Sequence, residues 1–345
     1  MEGTLTVTPL TGVTVTITGH TESATYDGSA HIATGYDVNT SSQLYTSADF
    51  TFSGTAEASL TDTGIAYMGL AAGQFANTNP NFADVTFNVT DGSVTVSYYD
   101  ASFADNASNT DAISDIITNY GSKATVTLAG RTLWKDGDWN TLCLPFDVTL
   151  SGSVLNGATL MELDVTNTSF DDATGTLYLY FKDAENITAG TPYIIKWASG
   201  DDIVSPVFEG VTVSATTASS VNSADGKVQF IGTYNPVDIY SDAKDNLFLG
   251  AGNQLYWPEG EGMTSYLMNT FRAYFHVGDG QTAAPVRHTV LNFGDGATGV
   301  IAIDNGQWMM DNEADTWYDL SGRRLDAAPA AKGIYIVNGK KVVIK

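Results

Sequence analysis

Apolar and polar residues alternate one for one over short stretches of this chain. Across residues 13–18, Val13, Val15 and Ile17 alternate with Thr14, Thr16 and Thr18. That two-residue period predicts a strand with one buried face. Further short strands are predicted at 50–52, 65–70, 85–89 and 91–98, divided by turns such as Tyr26-Asp27-Gly28 and Asn77-Thr78-Asn79-Pro80-Asn81. No stretch of this region has helical periodicity, so it reads as all-β. The best helical pattern follows at 109–121. There Ile113, Ile116 and Ile117 share one face, Asn109 or Thr110 can cap, Asp111 suits the positive N-terminal end and Gly121 can end the helix.

The longest patterned region, 124–297, holds at least ten strand candidates. In 176–181, Leu177, Leu179 and Phe181 point one way and Tyr178 and Tyr180 the other. In 271–277, Phe271, Ala273, Phe275 and Val277 alternate with Arg272, Tyr274 and His276. The region is organised around 132–150. Thr132-Leu133-Trp134 runs into Lys135-Asp136-Gly137-Asp138, and 139–146 runs out. Asp-Gly is a tight-turn signal, so a hairpin is expected. The outgoing run is apolar at nearly every position from Leu142 to Phe146, the pattern of a strand covered on both faces in the middle of the largest domain. Many short strands with Gly/Asp turns predict a jelly-roll-like β-sandwich. In 298–345, 317–325 reads as a strand entering a turn, 327–331 as a linker, and 332–345 as a hairpin about Asn338-Gly339.

The expected fold class is therefore all-β: tandem β modules, a central sandwich and a short C-terminal β tail. The expected domains are 1–98, a junction with a short helix at 99–123, the sandwich at 124–297 and the tail at 298–345. Residues 2–9 repeat the pattern of 91–98, an acid, a glycine and a hydroxyl residue before an alternating strand. This suggests the last strand of a preceding repeat, and a chain that is the C-terminal part of a longer tandem protein.

Composition narrows the function classes. Fifteen basic residues against 39 acidic ones give a net charge of −24. That excludes a phosphate-backbone footprint and so argues against nucleic acid. It also argues against an anionic membrane surface. No apolar run is long enough to span a membrane, so no membrane insertion is expected. The lone cysteine, Cys143, allows no intrachain disulfide and reads as a buried small apolar residue.

No nucleophile elbow, phosphate loop or zincin motif occurs. The four histidines are scattered at 20, 31, 276 and 288. Asp136 and Asp138 fall short of the six to eight oxygens that Ca²⁺ takes. No catalytic residue, metal or cofactor is expected. The binding candidates are aromatic: Trp134, Trp139, Tyr178, Tyr180, Trp257 and Tyr274, whose rings either stack on sugar faces or fill gaps between strands.

Residues 12–98 resemble the tandem extracellular bacterial modules of the YDG and MBG type. The resemblance rests on Tyr26-Asp27-Gly28, His31, Gly35-Tyr36, Phe50-Thr51-Phe52-Ser53-Gly54, Asp62-Thr63-Gly64 and Asp91-Gly92-Ser93-Val94-Thr95-Val96. The run from Leu133 to Val148, with 189–197, 230–234 and 271–275, resembles a segment of surface proteins of gut Bacteroidota. The pattern Tyr318-Asp319-Leu320-Ser321-Gly322-Arg323, then Lys332-Gly333-Ile334-Tyr335-Ile336 and a basic terminal strand, is similar to a type IX secretion sorting domain, although shorter. These resemblances imply a non-enzymatic cell-surface or secreted protein with a stalk or adhesin-like role. Its partner would be a glycan or a host or bacterial surface protein, and its tail would be read by export machinery. The alternatives are a carbohydrate-binding module using the sandwich aromatics, or a fragment of a secreted glycoside hydrolase or peptidase.

Overall fold

A computed structural model describes residues 8–241, 244–258, 262–278 and 286–294, with the backbone strands 298–302, 317–318, 324–325, 333–337 and 340–344. The fold is all-β, with one α-helix among the described residues. It divides into two units: 1–101 with 114–126, and 102–113 with 127–345.

The first unit is built on two stretches of chain that run side by side. Strands β1 (Thr14–Gly19) and β2 (Thr21–Thr25) follow one another, with β3 (Tyr36–Thr40) and β4 (Gly64–Tyr67) later. Strands β5 (Thr86–Thr90) and β6 (Ser93–Ser97) then return parallel to the first pair. Thr14 faces Thr86 and Thr21 faces Ser93, so one register carries through both pairs. Strand β3 adds antiparallel to β1, and β4 antiparallel to β6. The alternation expected at 13–18 is observed: Val13, Val15 and Ile17 are buried, and Thr16 and Thr18 exposed.

Between the paired strands the two backbones approach closely at Gly19 and Gly92. A Cβ on Gly19 would lie 2.3 Å from the Gly92 nitrogen, and one on Gly92 would lie 2.4 Å from the His20 carbonyl oxygen. Only glycine fits this approach. Asp91 secures it by accepting hydrogen bonds from the backbone N–H groups of Gly69, Leu70 and Gly92, at 3.0, 2.8 and 2.8 Å. The acid-glycine-hydroxyl signature at 91–93 thus has a mechanical cause. Its counterpart at 2–9 lies outside the described residues, apart from positions 8 and 9.

Helix α1 (Thr110–Asn119) buries Ile113 and Ile116 completely. Its start is held by Asn235, whose side-chain oxygen accepts from the Asn109 backbone N–H at 2.9 Å. Asn109 instead turns its own side chain inward, donating to the carbonyls of Ala104, Ala107 and Tyr234.

The second unit is a β-sandwich. One sheet runs in the order β7 (Asn140–Cys143), β10 (Pro192–Lys196), β8 (Thr159–Leu163), β9 (Thr176–Asp183), β15 (His288–Asn292), β16 (Thr298–Ala302). The other runs 220–222, β11 (Val228–Gly232), β14 (Ala273–Val277), β12 (Asn246–Gly250), β13 (Gln254–Tyr256). Leu177, Leu179 and Phe181 of the first sheet meet Phe230, Leu247 and Phe275 of the second in one buried cluster. Burying such side chains contributes about 1.5–3 kcal/mol each.

The organising stretch differs from its expected form. Residues 132–133 pair with 203–204, and β7 pairs with β10, so the two arms are not paired strands. The side chain of Asn140 closes the loop instead, accepting from the Trp134 N–H at 2.9 Å and donating to the Trp134 carbonyl at 2.8 Å. Strand β7 is buried at every position, yet it lies at the end of its sheet. Arg131 covers that end by donating to the Thr141 carbonyl at 2.9 Å.

Toward the C-terminus, 333–337 pairs antiparallel with 340–344 in the register of a two-residue hairpin, in a sheet with 317–318 and 324–325. The linker expected at 327–331 and the turn at 319–323 lie outside the described residues.

Candidate functional site

The second unit carries a cleft of about 620 Å³, a size that suits a small ligand. It is lined by the turn that follows Trp134, by Phe248–Ala251 and Tyr266–Asn269, and by Arg131 and Arg272.

Reciprocal hydrogen bonds lock the turn to the segment after β12. Gly137 sits at φ +94°, which lets the chain reverse. The Asp138 carboxylate accepts from the Gly252 N–H at 2.6 Å and from the Asn253 amide at 3.0 Å, while the Trp139 N–H donates to Asn253 at 2.7 Å. The Asp136 carboxylate accepts from the Asp138 N–H at 3.0 Å. These carboxylates position backbone.

Aromatic residues are part of the lining. Trp134 is 54% exposed. Phe248 and Tyr266 stack with centroids 4.9 Å apart and planes 20° from parallel, and Phe248 also stacks on Tyr256. Burial raises the Tyr266 phenol above its usual value. Leu267, 60% exposed, adds apolar surface.

Two buried side chains of residues lining the cleft each have one N–H without a partner. Arg131 is 4% exposed; it donates from Nη1 to the Thr132 carbonyl at 2.7 Å and from Nη2 to Thr141, but its Nε–H has no acceptor. Burial and then the charge of Arg272 pull this guanidinium down to about 9, while Asp105 acts the other way. Arg131 therefore keeps its charge at neutral pH. Trp139 is 6% exposed and its indole N–H is also unpartnered. An unmet buried donor costs about 1–3 kcal/mol. Asp105 is ion-paired with Arg272 and accepts from Asn269 at 2.9 Å.

The six aromatic candidates have different fates. Trp134 and Trp139 meet at the cleft, but only Trp134 is exposed; Trp139 packs in the sandwich core, with Lys196 over its ring at 4.4 Å. Trp257 is another core ring, 9% exposed. Tyr178 and Tyr180 are half-buried on the face of β9 turned from the core, and Tyr274 is half-buried on β14. None of these last four lines the cleft. Sequence reasoning missed Arg131, Arg272, Phe248 and Tyr266. A signal existed for the arginines: only three precede residue 300, and two of them line this cleft.

Other regions offer less. A second cleft of about 560 Å³, lined by Asp147, Ser151, Ser153 and Glu209 among others, has Phe208 as its only ring, and that ring is buried. In the first unit, hydrogen bonding to the Thr34 carbonyl and then to Asp37 holds His20 above its usual value. A second pair, His31 and Asp27, is 3.2 Å apart. Cys143 is fully buried, and burial pushes its thiol up to about 12. Among the described residues no group of three or more His, Cys, Asp or Glu could hold a metal, and no helix is long and apolar enough to cross a membrane. Neither a family model, nor a curated protein, nor a solved structure matches the chain.

Proposed function

We propose that this chain is a non-enzymatic carbohydrate-binding part of a modular cell-surface or secreted protein, and that the cleft beside Trp134 holds the sugar. The cleft carries the reading: an exposed indole, the stacked Phe248–Tyr266 pair and several polar groups share one lining. Sugar rings present apolar C–H faces and polar edges, and such a lining answers both. A binding role is favoured over hydrolysis because both oxygens of Asp138 already accept hydrogen bonds from the neighbouring loop. In this reading the first unit is a stalk module and the tail is read by export machinery. Its resemblance to YDG/MBG modules and to a sorting domain supports that part.

The test is a glycan-array screen of the full chain, repeated with Trp134→Ala. Losing one exposed stacking ring should weaken binding by about tenfold, with thermal stability nearly unchanged. Undiminished binding by the variant, or an array without any hit, would refute the assignment.

A further inference from the structure

The turn beside the cleft is tied down almost residue by residue. The Asn140 side chain holds both the N–H and the carbonyl of Trp134, and the Lys135 N–H donates to Asp202 at 2.9 Å. Both oxygens of Asp138 are taken by Gly252 and Asn253, and the Trp139 N–H donates to Asn253. Asp136 is the exception. Its Oδ1 accepts from the Asp138 N–H, but its Oδ2 meets no donor among the described residues, and the side chain is exposed. Placement joins this oxygen to the exposed indole. Trp134 and Asp136 both line the cleft, whereas Lys135 between them does not; its ammonium lies 5.3 Å from the centre of the Trp197 ring. Two steps of chain span at most about 7 Å, so ring and carboxylate stand within reach of one sugar.

We infer that Asp136 is a specificity-determining residue of the sugar site: its free oxygen accepts a hydroxyl hydrogen from a neutral sugar whose ring lies on Trp134. This rests on the carbohydrate reading above and adds the chemical class of the ligand. A hydroxyl donating to a carboxylate makes a charge-assisted bond, and the turn is fixed before the ligand arrives, so little ordering cost is set against it. Charge selects the neutral class. An acidic sugar would bring its own carboxylate against Asp136 in a chain of net charge −24. The arginines do not offset this, because Arg272 is ion-paired with Asp105 and Arg131 donates to the Thr132 and Thr141 carbonyls. An amino sugar gains no general advantage either: the lining holds two arginines and two aspartates, so the cleft has no net charge of its own to draw a cation.

The experiment is a calorimetric titration of the full chain with neutral tetrasaccharides of α-linked glucose, β-linked glucose, mannose, xylose and galactose, beside tetragalacturonate and tetraglucosamine. At least one neutral sugar should bind more tightly than both charged ones, and its affinity should change by less than about twofold between about 0.02 M and about 0.5 M NaCl. Asp136→Asn keeps an oxygen for the Asp138 N–H and puts an amide in place of the free acceptor. It should weaken the neutral sugar by about tenfold, the loss expected for one hydrogen bond to a charged group, with the melting temperature held. Asp136→Ser, whose hydroxyl can also support the turn, should lose as much. Asp201→Asn removes an exposed charge outside the lining and should bind as wild type. Undiminished binding by both Asp136 variants, or tighter binding of the galacturonate or the glucosamine, overturns the inference and leaves the carbohydrate reading standing. Binding of none of the saccharides overturns the inference, and with an empty glycan array it removes the carbohydrate reading as well.

Discussion

At the residue scale, side-chain identity explains some positions and tertiary coverage the rest. Gly92 belongs to the first kind. The Asp91-Gly92-Ser93 signature is legible in the sequence, and the structure supplies its cause: two backbones come so close that no Cβ fits. Replacing Gly92 with Ala would put a Cβ 2.4 Å from a backbone carbonyl oxygen and 2.6 Å from Met68 Sδ. The sulfur can move, but the carbonyl belongs to the chain that joins β1 and β2. Overpacking of this kind costs about 3 kcal/mol. A urea melt of Gly92→Ala should show that loss, whereas Gly73→Ala, with open space around its Cβ, should stay near wild type. The tryptophans belong to the second kind. Trp134, Trp139 and Trp257 all looked like candidate sugar platforms, yet two are core rings. Nothing local distinguishes them, because each ring's exposure depends on strands distant in the chain. The two arginines of the cleft were illegible for the same reason: their meaning lies in which carbonyls and carboxylates the fold brings to them.

At the scale of elements, periodicity was a good guide and pairing a poor one. The alternation at 13–18, the two faces of β9 and the isoleucine face of α1 are all present as the pattern predicts. The Asp136-Gly137 turn also forms, but the strands on either side pair with 203–204 and with β10. A turn signal fixes where the chain reverses; which edge each arm joins depends on partners tens of residues away. Short loops in the first unit show how carboxylates fix such reversals. Asp49 accepts from the Asn79 amide at 2.6 Å and from the Thr46 N–H at 2.7 Å, which ties the start of the 50–52 strand to the turn after 75–77. These bonds, that from Asn79 first, hold the Asp49 carboxyl below its ordinary value of 3.8. A depressed folded-state value means that Asp49 contributes stability above its unfolded value and loses it as pH falls through the folded one. Asp49→Asn should therefore lower the melting temperature at neutral pH and flatten its fall below about pH 4. An acid limb as steep in the variant as in wild type would assign the acid sensitivity to other carboxylates.

At the scale of the whole molecule, the charge is the dominant fact and is fully legible in the sequence. Six of the 15 basic residues lie from Arg323 onward, so the rest of the chain is more acidic than the −24 total suggests. With 15 basic residues against 39 acidic ones, most acids have no cation of their own to pair with; Lys182–Glu162, Lys227–Asp172 and Arg272–Asp105 are ion-paired. Many carboxylates instead accept from backbone N–H groups in turns, as Asp91 and Asp138 do. Such bonds satisfy the oxygens but leave the charge uncompensated, so the folded chain repels itself. Screening should relieve this. Raising NaCl from about 0.01 M to about 0.1 M shortens the Debye length from about 30 Å to about 10 Å, and the melting temperature should rise by several degrees. MgCl₂ and CaCl₂ at matched ionic strength should give nearly the same rise, because no described cluster of acids is placed to hold a cation. A markedly larger rise with Ca²⁺ alone would contradict that and would show a specific cation site. A melting temperature that falls with salt would mean that attractive ion pairs outweigh the repulsion.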